Sequence, residues 1–224
     1  MLFLPLALAA GLAWAGVPPV GAEIEISAPN VLADSIWYEP PVPGLDSPEA
    51  RAYAAEAALL SARDPDFSHV FAGLCRLMRS DPRKGRSART KTADLFRGLI
   101  RWTRAGAAPS LQGREDWALH FVYGGYLSAV YGRTTADAAA LAKEERDAIT
   151  PGNAFDLDDW AVTRVGARWA DEAAKGRSPW LDGWANGTYR LDRVPKLTFG
   201  KLPRGVPPDV LTGLRVTRFV ESAF

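Results

Sequence analysis

Apolar positions recur at three- and four-residue spacing through most of residues 48–175, which predicts helices rather than strands. Ser47-Pro48-Glu49 supplies an N-cap, a proline at the first helical position and an acid in the first turn. The Ala-rich helix that follows is expected to end near Arg63. Asp64-Pro65-Asp66 repeats the start signal before a second helix carrying Phe67, Val70, Phe71, Leu74, Leu77 and Met78 on one side. After a loop over residues 80–87, Thr92 is read as opening a third helix with Leu95, Leu99, Ile100 and Trp102, closed by Gly106. The stretch "EDWALHFVYGGYLSAVYG" (115–132) predicts a fourth. Thr134 or Thr135 is expected to start a fifth, running to Ile149 and stopped by Pro151-Gly152. Asp156, with an acid three residues on, caps a sixth that runs to about Lys175.

The flanks read differently. Seven prolines between residues 17 and 48 predict an extended arm, because each fixes φ and lacks a donor. From Gly176 on, Gly, Pro and Trp are frequent and the apolar pieces are short ("TYRL", "LTFGKL"). That predicts an irregular wrap with one small hairpin, extending through the final "LRVTRFVESAF". The first residues, "MLFLPLALAAGLAWAG", form an apolar run ending in the small-residue pattern Ala13-Trp14-Ala15. This is the form of a secretory signal, with cleavage expected after Ala15 or Ala22, although its leading segment lacks Lys and Arg. The expected organisation is a signal peptide (1–22), a Pro-rich arm (23–47), a helical-bundle-like domain (48–175) and a C-terminal wrap (176–224). The fold class is mainly α. The expected location is outside the cytoplasm, periplasmic or in the cell envelope, with no transmembrane domain in the mature chain.

Composition narrows the chemistry. A hydrophobic content of 47% with 24% charged residues suits a globular core, and a mean hydropathy of −0.11 excludes a polytopic membrane protein. One Cys excludes an internal disulfide framework, and Cys75 in "FAGLCRLM" reads as a buried small hydrophobe. Charge is unevenly spread. Arg76–Arg104 holds ten Lys or Arg against two Asp, a balance of +8, whereas Lys143–Asp159 holds six acids against two bases, a balance of −4. The basic segment suggests a partner that is an anionic envelope component. Nucleic acid is not expected, because the segment lacks interleaved aromatics for stacking.

The acidic stretch faces the chain's candidate chemistry. Only two histidines are present, His69 and His120, so a His-rich zinc site is excluded. Asp116 and His120 lie four residues apart, one turn on one helical face, where a carboxylate can fix an imidazole tautomer. Lys143, Glu144 and Asp147 lie within one turn of the next helix, and Asp159, Thr163 and Gly166 share a face of the one after. Antiparallel packing of these three helices would bring them together, with Asp116 and His120 pointing toward Glu144 or Asp147. The catalytic candidates are therefore His120, Asp116, Glu144 and Asp147, and the metal-ligand candidates His120, Glu144, Asp147 and Asp159. Hard oxygens with one imidazole suit a divalent cation such as Mg²⁺, Mn²⁺ or Zn²⁺. Gly124 and Gly125 read as points of close helix approach. No G-x-S-x-G, P-loop, HExxH or Rossmann glycine pattern is present.

The order Asp116, His120-Phe121, Lys143-Glu144, Asp147, Phe155, Asp159, Gly166 resembles the small bacterial envelope family typified by the lipoprotein YfiM, whose domain has no established reaction. The resemblance covers under a quarter of the chain. Here the lipoprotein Cys is absent, the spacer between His and Lys-Glu is short, and Thr163 stands where the pattern has a second acid. It implies an exported helical domain with a shared polar cluster. Two functions compete: a binding or structural role in which the cluster fixes helix register, and a metal-assisted or general-base hydrolase acting on an envelope substrate.

Overall fold

The first helix, α1 (Pro48–Ser61), starts where the Ser47 hydroxyl accepts the Ala50 amide at 3.1 Å, with proline in the first turn. The computed structural model describes residues 42–81, 85–106, 109–176 and 194–223, all within one compact unit, Pro40–Phe224. The expected signal peptide, most of the Pro-rich arm and "TYRL" lie outside the described residues. The remaining helices are α2 (Phe67–Ser80), α3 (Ala88–Arg104), α4 (Glu115–Tyr131), α5 (Arg133–Ile149), α6 (Leu157–Ala174) and α7 (Val210–Ser222). The described residues contain no strand, only isolated bridges, so the mainly α expectation holds.

Several expected boundaries move. α3 begins four residues before Thr92, because the Ser87 hydroxyl captures the Thr90 amide first. Thr92 is buried mid-helix and donates its hydroxyl proton to the Ala88 carbonyl. α5 begins at Arg133 rather than Thr134 or Thr135. Gly132, at φ 94°, closes α4 and is at once the N-cap of α5, which reverses the chain with a single residue. The C-terminal wrap is the larger correction: "LRVTRFVESAF" is helical. Asp209 caps α7 through the Thr212 amide at 2.6 Å, and Val216 and Val220 bury one side of it. "LTFGKL" is extended but forms only the bridge Asp156–Lys201, so no hairpin is seen there.

The core is aromatic. Phe67, Phe71, Phe96, Phe121 and Trp169 are fully buried, and Phe71 meets Trp169 edge-on at 4.8 Å and Phe121 at 5.1 Å between centroids. Glycines let the backbones approach around it. A Cβ on Gly125 would stand 2.1 Å from the Phe96 ring. One on Gly124 would stand 2.0 Å from the Thr163 carbonyl oxygen, and one on Gly166 2.1 Å from that of Phe121. α4 and α6 therefore cross backbone to backbone. That crossing sets the distance from His120, one residue before Phe121, to Asp159 and Thr163.

Candidate functional site

α4, α5 and α6 each deliver side chains to one polar cluster. His120 (α4), Lys143, Glu144 and Asp147 (α5), and Asp159 and Thr163 (α6) are all buried, with Asp156 at the α6 N-cap. The Asp156 carboxylate accepts the Asp158 and Asp159 amides at 3.0 and 3.2 Å, as its sequence position predicts. Its other oxygen makes no hydrogen bond but faces Arg114 Nη1 at 3.7 Å and Lys201 Nζ at 3.6 Å.

Both His120 ring nitrogens face α6. Nδ1 lies 2.9 Å from Thr163 Oγ1 and Nε2 lies 3.2 Å from Asp159 Oδ2. Thr163 donates its hydroxyl proton back to the Asp159 carbonyl at 2.8 Å, so its oxygen must accept from His120 Nδ1–H. If Nε2 were bare, its lone pair would face a carboxylate oxygen. A proton or a cation is therefore required between Nε2 and Asp159. The second carboxylate oxygen, Oδ1, accepts the Trp117 indole N–H at 3.1 Å and faces Arg114 Nη2 at 3.4 Å.

Lys143 fills the space between the helices. Its ammonium lies 2.6 Å from Glu144 Oε1, 3.0 Å from Asp147 Oδ2 and 3.7 Å from Asp159 Oδ2. Glu144 Oε2 accepts the Asp156 amide at 3.0 Å and so ties α5 to the start of α6. Burial pushes the Glu144 carboxyl above its ordinary range, against the pull of Lys143 and that amide. Burial also acts on Asp159, but the hydrogen bond and charge of His120, with Lys143 and Arg114, outweigh it and hold its carboxyl at about 2. Burial lowers Lys143, yet Glu144, Asp147 and Asp159 together drive it well above its ordinary value.

Asp159 thus gives an acid-stability prediction. Its folded-state value lies below the ordinary 3.8, so its contribution is present above about pH 4 and is lost as pH falls toward 2. The expected loss is roughly 2 kcal/mol of unfolding free energy. Glu144 acts oppositely, its contribution being largest below 4.5 and lost as pH rises through its folded-state value. Denaturant titrations of wild type and Asp159→Asn across the acid range check this. The drop below about pH 4 should be smaller in the variant, since Asp64, Asp209 and Glu221, also held below their ordinary values, remain.

The spatial outcome refines the expected set. His120, Glu144 and Asp159 bring one ligand atom each within 4.8 Å of one another. Asp147 is held by Lys143 and by Arg146 at 3.5 Å, so it serves the ammonium rather than that three-residue group. Asp116 does not point inward. It is half-exposed and bound by Arg114, whose own value that hydrogen bond raises first. It is Thr163 that holds His120 Nδ1, in the position expected of Asp116. The Lys143–Asp147 pair, at a spacing typical of helix surfaces, is buried.

Sequence reasoning missed Arg114, Trp117 and Lys201. Asp158 was also missed: its carboxylate accepts the Phe199 and Gly200 amides at 2.8 and 3.1 Å and straps the tail over the α6 N-terminus. Arg114-Glu-Asp-Trp117 did carry a local signal, a base two residues before an acid at a helix start.

Much of the basic segment is occupied internally. Arg86 and Arg97 pair with buried Asp94, Arg89 donates to the Ala129 carbonyl, Lys91 to that of Asp81, and Arg101 pairs with Asp46. His69 lies apart from the cluster on α2, exposed and paired with Asp64. Cys75 is fully buried, and burial pushes its thiol well up. No protein-family model, curated protein or solved structure matches the chain.

Proposed function

We propose that the chain is an exported helical protein of the cell envelope, of the YfiM-like kind, whose outward work is binding and whose buried cluster is a structural clamp. The apolar leader with its Ala13-Trp14-Ala15 end supports export. One observation carries the clamp: the Lys143 ammonium is seated among Glu144, Asp147 and Asp159. It already supplies the positive charge that three buried carboxylates need. A divalent ion between His120, Glu144 and Asp159 would stand beside that ammonium, where like charges in a buried space repel strongly.

A metal-assisted or general-base hydrolase is the second reading. It is favoured by the convergence of His120, Glu144 and Asp159 and by the Nδ1–H tautomer that Thr163 enforces. In it, Nε2 and the two carboxylates would hold Mg²⁺, Mn²⁺ or Zn²⁺.

Melting curves separate the two. Under the clamp reading, wild type melts at one temperature whether Mg²⁺, Mn²⁺, Zn²⁺ or a chelator is added. His120→Ala then destabilises by about 1–3 kcal/mol in every condition, since Asp159 keeps Trp117, Arg114 and Lys143 as partners. A rise in the wild-type melting temperature with metal, lost in His120→Ala, would overturn the clamp in favour of the cation site.

A further inference from the structure

The outer face of α7 is apolar and basic together. Val210, Leu211 and Leu214 are 79, 70 and 49% exposed, and exposed Arg215 and Arg218 continue the same face at helical spacing. The opposite face is fixed to the body of the protein. Val216 and Val220 are buried, Arg164 donates to the Thr217 hydroxyl at 3.0 Å, and Arg168 donates to the Val220 carbonyl at 2.7 Å. The patch widens beyond the helix. The Gly205 amide donates to the Ala148 carbonyl at 3.0 Å, which brings exposed Val206 to the end of α5, where Ile149 is 74% exposed.

The charge on this face is predominantly positive. Residues 201–218 hold Lys201, Arg204, Arg215 and Arg218 against Asp209, four bases to one acid, a balance of +3. Asp209 is spent on the Thr212 amide, and Glu221 at the far end pairs with Arg133 and Arg168. Among the described residues no ion pair engages Arg204, Arg215 or Arg218, in contrast to Arg86, Arg97 and Arg101.

We infer that this face docks on an anionic lipid surface, Val206, Val210, Leu211 and Leu214 entering the headgroup boundary and Arg204, Arg215 and Arg218 meeting lipid phosphates. Exposed apolar side chains set beside positive charge fit this occupant. Residues 17–41, with Glu23, Glu25, Asp34 and Glu39 and no base, also have the complementary sign, and an absence of vesicle binding would assign the face to them instead. A second copy would present the same positive face to itself. Segment 177–193 holds three Arg against two Asp and offers these arginines no net attraction. Among the described residues no helix is long and apolar enough to cross a membrane, so the contact is peripheral. The inference rests on the envelope-binding part of the proposed function and not on the clamp, so metal or chelator has no bearing on it.

The test is vesicle co-sedimentation of the full chain, with phosphatidylcholine alone and with phosphatidylcholine–phosphatidylglycerol mixtures, at low and high salt. Wild type should pellet with the anionic vesicles and be released by salt. Each Arg at an anionic surface is worth roughly fivefold in affinity, so Arg215→Gln/Arg218→Gln should bind about 25-fold more weakly. Leu211→Ser/Leu214→Ser should weaken binding by at least about tenfold. Both variants alter exposed positions and should keep the wild-type melting temperature. The apolar run at 1–16 is common to all three proteins, so differences among them report α7. Equal binding by wild type and both variants, equal binding to neutral and anionic vesicles, or no binding would each overturn the inference. So would a wild-type oligomer that Leu211→Ser/Leu214→Ser converts to monomer, which would assign the face to a second copy.

Discussion

Lys143→Met should cost about 3–5 kcal/mol at neutral pH, the largest effect expected of any single polar change in the cluster. The substitution keeps the length and the apolar stem and removes only the charge. Glu144, Asp147 and Asp159 then share a buried space with their common ammonium gone. Glu144 is affected most, since it is buried and its carboxyl is already raised. The pH dependence identifies the cause. Without the ammonium the carboxylates bind protons more readily in the folded state than in the unfolded one, so the variant should recover stability as pH falls from 7 toward 5. A merely steric defect would not recover. Denaturant unfolding at several pH values reads both the size and the slope. A loss below about 1 kcal/mol would mean the carboxylates do not depend on Lys143.

Gly166→Ala should be nearly as damaging for a reason unrelated to charge. The new methyl would lie 2.1 Å from the Phe121 carbonyl oxygen, which is backbone and cannot swing aside. α6 must retreat from α4, and overpacking of this kind costs about 3 kcal/mol. For a chain of this size that lowers the melting temperature by roughly 6–12 °C. The retreat also draws Asp159 and Thr163 from His120, so Gly166→Ala and His120→Ala should be less than additive when combined. Gly213→Ala is the control, since a Cβ there meets only the Trp160 ring edge at 3.8 Å. A wild-type melting temperature for Gly166→Ala would show that the two helices can part freely.

The helices and the partners of their side chains were legible to different degrees. Ser47 and Asp156 each announced a helix start because capping is local, and the structure shows each side chain accepting the expected amides. At Asp64-Pro65-Asp66 the cap is Asp66 rather than Asp64, so α2 begins two residues later than the Ser-Pro-Glu pattern implies. Periodicity found α2 because Phe67, Phe71 and Leu74 repeat over one face. α7 escaped because its buried stripe is Val216 and Val220 alone, while Leu211 and Leu214 face outward and blur the period. Within the site, the order of carboxylates on successive helices was enough to gather His120, Glu144 and Asp159. The partner of His120 was not legible. One-turn spacing put Asp116 beside it, yet Asp116 follows Arg114 at the open helix end, and the imidazole turns across the glycine crossing to Thr163 and Asp159. Side-chain choice there is set by which backbone comes closest, and that depends on Gly124 and Gly166 together.

The strap over α6 has a kinetic meaning. Asp158 holds amides 41 and 42 residues later, and Gln112 donates to the Val194 carbonyl 82 residues away and accepts the Leu197 amide across 85. Arg133 reaches Glu221 across 88. On a ribosome these partners emerge after α6. α4, α5 and α6 can pair while the tail is still being made, but the two amides that hold the Asp158 carboxylate reach it only after 41 and 42 further residues have been added. The α6 N-terminus is therefore closed from outside, by residues distant in sequence, and stays open to solvent until they have been made.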